Sequence, residues 1–248
     1  FVMHATFKVQ SAFELASVTY ENAIIKVKTN YAYEDNKLLK SADYALLKQI
    51  AQGLDKDSHD SHEVVATFMK FMNAQCAETL ASMNTGIFRN QAGTEGSQRF
   101  DGKSNSAFGG QLSAKYSTIN EGHAHLGLSN YTHITSPIRR LVDLINMRIL
   151  MNGSKMDLES STIEKINKIS KSAKKAQMDC ELYSKVLGAD PETVYTGSIV
   201  DVDTDEFGRV THTVYLEELK TYARVKGYCS ANCALKIYLF DDEHNLRR

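Results

Sequence analysis

The stretch Tyr131-Thr-His-Ile-Thr-Ser-Pro-Ile-Arg-Arg-Leu141 constrains this chain more than any other. It holds one of only two prolines and sets two arginines side by side, just where a helix is expected to begin. Ser136 suits an N-cap, and Pro137 suits the first helical position, where a missing N–H costs nothing. Arg139 and Arg140 then fall in the first turn. A helix N-terminus is already positive and carries unpaired N–H groups, so acids are favoured there. Two arginines make sense if an anion is to be bound, because open N–H groups and guanidinium forks together form a phosphate site. The expected helix runs from Pro137 to Met151, with Gly153 ending it. Its apolar stripe is Ile138, Leu141, Val142, Ile145 and Ile149, and Arg139, Asp143 and Asn146 lie on the other face. Arg139 and Asp143 are four apart, so a pair between them is expected to hold the guanidinium in place.

The length suits one large domain or two smaller ones. With a net charge of −1, the whole chain has no global attraction for nucleic acid, so any anion site must be local. No apolar run reaches the ~18 residues of a membrane span. The first residues show no secretory pattern, and the missing initiator Met fits a piece of something longer. Cys76, Cys180, Cys229 and Cys233 are widely spread, which points to free thiols in a reducing compartment. An intracellular protein is expected, in the cytoplasm first, with nucleus or organelle left open.

A strand is expected at about 3–10, followed by mixed structure that includes Ile24-Ile-Lys-Val-Lys28. A helix is expected over Leu38–Leu54, ending at Gly53. Asp60 and Glu63 have capping-box spacing. Val64, Phe68, Met72, Cys76 and Leu80 recur every four residues, so a long amphipathic helix follows, ending near Asn84. Residues 90–113 are rich in Gly, Ser, Asn and Gln and read as a long loop, either functional or simply mobile. A third helix is expected from Ser161, with Glu164 closing its capping box. Its stripe passes through Ile166, Ile169, Ala173, Ala176, Cys180, Tyr183 and Leu187, and it stops at Gly188. Lys165, Lys168, Lys171, Lys174 and Lys175 form either a solvated face or a basic wall for nucleic acid. Beyond Pro191 four short strands fit a small OB-type barrel. The turn Asp203–Gly208 lies between the first two, and a boundary is placed at 189–192.

Ser-Pro-Ile-Arg-Arg140, preceded by Tyr131-Thr-His133 and followed by Asp143-Leu-Ile-Asn-Met-Arg148, resembles the RNB family of ribonuclease II and R exoribonucleases. His125-Leu-Gly-Leu, Gly86-Ile-Phe-Arg89 and Ala176-Gln-Met-Asp179 add to the resemblance in the family's order. The implied fold is α+β. Residues 1–188 would be the helix-rich C-terminal portion of the catalytic domain, and 192–248 an S1-like OB barrel. The implied activity is processive 3′→5′ hydrolysis of single-stranded RNA to nucleoside monophosphates, with Mg²⁺ assisting water. By resemblance Arg139 is the catalytic arginine. Arg140, Tyr131, His133 and Arg89 are RNA-binding helpers or hold the loop, and Ser136 and Asp143 support the site. The family's cluster of metal-binding aspartates is absent, so the chain itself is expected to supply no metal ligand. An N-terminal segment or partner chain would complete the site. Leu141, Met147 and Gln177 depart from the family pattern. They support an alternative, an RNB-like RNA-binding protein or scaffold subunit that has lost hydrolysis.

Weaker patterns are set aside. Asp201-x-Asp203-x-Asp205 lacks the Gly and Glu of a calcium loop and reads as a strand end and turn. Cys229 and Cys233 have the wrong spacing for zinc. His123, His125 and His133 have no ligand pattern, and there is neither a P-loop nor a GxSxG.

Overall fold

The computed structural model describes residues 1–9, 13–91, 114–190, 192–205, 207–226 and 235–238. Most of the glycine-rich stretch, Cys229 and Cys233 lie outside the described residues. The architecture is α+β and separates into two compact units, Phe1–Gly93 with Ala114–Ile163, and Thr94–Ser113 with Glu164–Arg248.

The first unit opens with β1 (Val2–Val9) and β2 (Phe13–Glu21), an antiparallel pair with a register shift between Thr6 and Phe7. Ile24, Ile25 and Val27 beyond it are exposed and form no strand. The helix expected over 38–54 is two helices, α1 (Asn36–Leu39) and α2 (Ala42–Leu54). Ser41 breaks the run because its extended backbone and hydroxyl make it the N-cap of α2. Gly53 lies inside the last turn of α2 rather than ending it. The predicted capping box forms at the start of α3 (Ser61–Ser82): the Asp60 carboxylate accepts from Glu63 N, and Glu63 reaches back to Asp60 N. Val64, Cys76 and Leu80 are buried as their spacing predicts, and Tyr44, Ala51 and Val64 form the α2–α3 core. Burying each large aliphatic side chain of this kind contributes about 1.5–3 kcal/mol. The Phe7 and Phe71 rings lie 5.5 Å apart and Tyr20 bonds Thr79, so the hairpin docks on α3.

Beyond α3 the chain turns at Gly86, whose φ of +108° and close approach to Leu80 exclude a side chain. The turn delivers β3 (Phe88–Asn90), which pairs antiparallel with β4 (Lys115–Ser117). A 3₁₀ turn (Ala124–Leu126) precedes the arginine segment, and α4 (Leu141–Asn152) ends at the left-handed Gly153.

The second unit takes most of α5 (Ser160–Val186) together with β5 (Val194–Thr204), β6 (Val210–Leu216), β7 (Thr221–Lys226) and β8 (Leu235–Tyr238). The four strands are those expected from the sequence, and they pair antiparallel in the order β7-β6-β5-β8. Leu182 and Val186 of α5 pack with Tyr195, Val214, Leu216 and Ala223 of the sheet. The Arg224 fork grips Asp179 at 2.8 and 3.0 Å, and Lys185 donates to the carbonyls of Leu219 and Lys220. The expected stripe of α5 fails beyond Ile166. Ile169, Tyr183 and Leu187 are exposed, and Met178, Leu182 and Val186 are buried instead. At about 100° per residue Leu182 and Val186 lie on the far side of the helix from Ile169, Ala173 and Ala176, and it is that side which meets the sheet. No capping box forms at Ser161. It already lies inside the helix and its hydroxyl donates to Glu159. At the β5–β6 turn the Asp205 carboxylate accepts from Phe207 N, Arg209 N and Arg209 Nε, and Gly208 takes a φ of +75°.

Candidate anion-binding site

The arginines precede the helix and do not start it. Ser136 to Arg139 form a turn in which Arg139 N and Arg140 N both donate to the Ser136 carbonyl. Arg140 is the N-cap of α4, with extended backbone and no side-chain cap bond. Pro137 is therefore a turn residue, a role its fixed φ serves equally well. Ile138 and Leu141, expected in the core, are exposed at 103% and 55%. Asp143 and Asn146, expected on the solvent face, are fully buried at 0%. The inward face of α4 thus mixes Val142, Ile145 and Ile149 with two polar residues.

The polar pair organises the segment. The Asp143 carboxylate accepts from Ser136 N at 2.7 Å and from Arg140 Nη2 at 2.8 Å. The expected Arg139–Asp143 pair is therefore replaced by Arg140–Asp143, because Asp143 at the third helical position faces back towards the turn. Arg139 is exposed and stands outside that pair. Asn146 accepts from Ile87 N and donates to the Ile87 carbonyl, both at 2.9 Å, and also donates to Thr132 at 2.7 Å. It satisfies both backbone polar groups of buried Ile87 at the entry to β3. From α3, Asn73 accepts from Ile134 N and donates to the Tyr131 hydroxyl. Two helical amides and one carboxylate therefore hold the run 131–136 in place.

Four rings meet edge to face beside this run. Tyr131 meets His123 and His133 edge to face, with centroids 5.2 and 5.8 Å apart. The Tyr116 hydroxyl shares a 2.6 Å hydrogen bond with His133 Nδ1, and the Arg89 guanidinium lies over the Tyr116 ring, 4.9 Å from its centroid. Burial pushes the His133 imidazole down to about 2, helped by the charges of Arg140, Arg89, His123 and Arg139. Burial lowers His123 to about 4, with Arg89 contributing. Burial also raises both phenols, Tyr116 and Tyr131. The rings are thus neutral at pH 7, and the local charge is that of three guanidinium groups against one buried carboxylate.

The structure gathers Arg89, Tyr131, His133, Ser136, Arg140 and Asp143 into one neighbourhood and leaves Arg139 on its exposed rim. Tyr116, Asn73, Thr132 and Asn146 belong to the same cluster and were missed from the sequence. The even spacing of Asn73 among the apolar residues of α3 was a usable signal, because a polar residue in a buried stripe needs partners. Tyr116 offered none. The donor set does not suit Mg²⁺, which demands oxygen ligands. Asp143 is its only carboxylate and is engaged by Arg140 and Ser136 N. Among the described residues no group of three or more acidic, His or Cys side chains is placed to hold a metal.

Comparison with known proteins points to one family. The RNB domain model matches residues 104–154. Ribonuclease R of Chlamydia pneumoniae is 38% identical over 95 residues, 35% of this chain and 14% of that protein. Ribonuclease R of Thermotoga maritima is 42% identical over 76 residues, 29% of this chain and 10% of that protein. These matches span only a small part of the relatives' own length. Among solved structures, Mycoplasma genitalium RNase R in complex with double-stranded RNA aligns with 74% of this chain and 40% of that one, at a TM-score of 0.44 and 18% identity.

Proposed function

For a chain that carries part of an RNB domain, we propose the function of a hydrolytic exoribonuclease that shortens single-stranded RNA from its 3′ end and releases nucleoside monophosphates. One observation carries the proposal: the buried Asp143 carboxylate fixes the Arg140 guanidinium in the turn beside exposed Arg139, and Arg89 lies over the Tyr116 ring that bonds His133. Phosphoryl transfer spreads negative charge over non-bridging oxygens, and positioned cations lower its barrier. Arg139, exposed and outside the Asp143 pair, is the transition-state partner. Arg140 is a fixed positive charge that receives a backbone phosphate, and Arg89 is a second. Tyr131 and His133 hold the loop in shape, since their polar atoms are taken by Asn73 and Tyr116. Ser136 and Asp143 orient Arg140. The Mg²⁺ of such a reaction would be held by carboxylates outside this cluster, from another segment or a partner chain.

Residues 192–248 act in this reading as an S1-like OB module. The strand order β7-β6-β5-β8, with the first strand in the interior and the fourth beside it, supports that assignment. We place the protein inside the cell, in the cytoplasm. No helix among the described residues is long and apolar enough to cross a membrane.

A second reading is an RNA-binding or scaffold protein without hydrolysis. It is favoured by Leu141, exposed at the helix start, and by Gln177, whose amide is turned to Glu181. A 3′-labelled RNA oligonucleotide incubated with the natural protein and Mg²⁺ separates the two. Release of labelled mononucleotide is expected, and an intact label after complete binding favours the second reading.

A further inference from the structure

The lysines of α5 are arranged unlike the rest of the surface. Lys165, Lys168, Lys171, Lys174 and Lys175 follow Glu164, and no acid occurs again until Asp179. Solvated helices usually interleave the two signs, and this chain as a whole is almost neutral. At about 100° per residue, Lys165, Lys168, Lys171 and Lys175 share a sector about 120° wide, on the side of the helix opposite Ile163 and Ile166. Those two isoleucines are buried, and the four lysines are exposed. The residues bracketing the sector are Glu164, one turn before Lys168, and Asp179, which the Arg224 fork engages. Over about 15 Å of helix the ammonium groups therefore form a concentrated positive strip.

We propose that this strip is an RNA-contacting surface that binds the sugar–phosphate backbone without reading sequence. Flexible ammonium groups match a polyanion in water, where release of its counterions drives binding. An anionic bilayer fits less well, because interfacial helices set large apolar residues beside their basic face. Here the one interspersed position in the sector between Lys165 and Lys175 is Ser172. The choice of RNA rests on the function proposed above, but none of the residues is shared with the arginine turn.

The test uses the natural protein, a fluorescein-labelled single-stranded RNA, and fluorescence anisotropy without divalent metal over a series of salt concentrations. Lys165, Lys168 and Lys175 are replaced together by Gln, and in a second variant by Arg. Each phosphate contact on a single strand contributes about 0.7 to the slope of log affinity against log salt. The Gln variant should bind roughly tenfold more weakly at moderate salt and lose about 2 from that slope. The Arg variant should keep both. An unchanged slope in the Gln variant overturns the proposal, whatever the affinity. So does a strip that binds phosphatidylserine vesicles through the same lysines while RNA binding is unaltered. If the slope falls but no mononucleotide is ever released, only the hydrolytic reading fails. If mononucleotide is released and the slope is unchanged, only this one does.

Discussion

The arginine turn and the lysine strip of α5 are both clusters of cations in a nearly neutral chain, and they are built in opposite ways. Arg140 is only 21% exposed and is tied to a carboxylate with no exposure at all. Beneath it, Asn73 and Asn146 take up buried peptide groups. The strip lysines are exposed on the helix surface. A guanidinium held in one direction needs buried partners, so the turn carries a polar scaffold that fixes Arg140. Loose attraction to a polyanion depends mainly on density of charge. The two regions should therefore respond to mutation in different currencies: stability and rate at the turn, affinity and salt dependence at the strip.

The largest expected effect breaks the scaffold. Asp143→Ala strands a partly buried guanidinium and leaves Ser136 N without its acceptor, so urea denaturation should show a loss of about 3–5 kcal/mol. Asp143→Asn should lose less, because the amide oxygen can still accept from Ser136 N. A loss below about 1 kcal/mol in Asp143→Ala would mean the turn does not depend on that carboxylate. Next comes Asn146→Ala, which leaves the buried Ile87 N without its acceptor, while the Ile87 carbonyl keeps the Thr132 hydroxyl. Roughly 2–3 kcal/mol is expected in the same experiment. A smaller change would show that water replaces the amide without difficulty.

The smallest effect is one of pH. His133 and His123 are held at about 2 and about 4, below the ordinary 6.5. The unfolded chain takes up protons below pH 6.5 that the folded chain refuses. Stability should therefore be full above that pH and fall steadily as it drops towards 4. Thermal melts of His133→Gln between pH 7 and 4 should show a shallower decline than wild type. An identical decline would place the titrating groups elsewhere.

The contrast also explains what could be read from the sequence. The capping box of Asp60 and Glu63 was legible because both partners lie within one turn and depend on nothing distant. The start of α4 was misread because Ser136 and Pro137 satisfy the rules for a helix start equally well as a turn. Only the burial of Asp143 decides between them, and burial is a property of the folded chain that local sequence rules do not carry. The stripe of α5 was lost where the sheet took over from local periodicity. The lysine strip was legible as charge. Its separation from the buried isoleucines needed the helix to be seen. The arginine pair, the most conspicuous feature of the chain, was given the wrong partner: Arg140 holds Asp143, and Arg139 is left outside.

That reassignment is the central claim, and Arg139→Ala tests it most directly. With 3′-labelled RNA and Mg²⁺, and with RNA saturating, the account predicts mononucleotide release from wild type and release at least about a hundredfold slower from the variant. Folding stability should change by less than about 0.5 kcal/mol. Unimpaired release from Arg139→Ala, or a variant that fails mainly by unfolding, would contradict it.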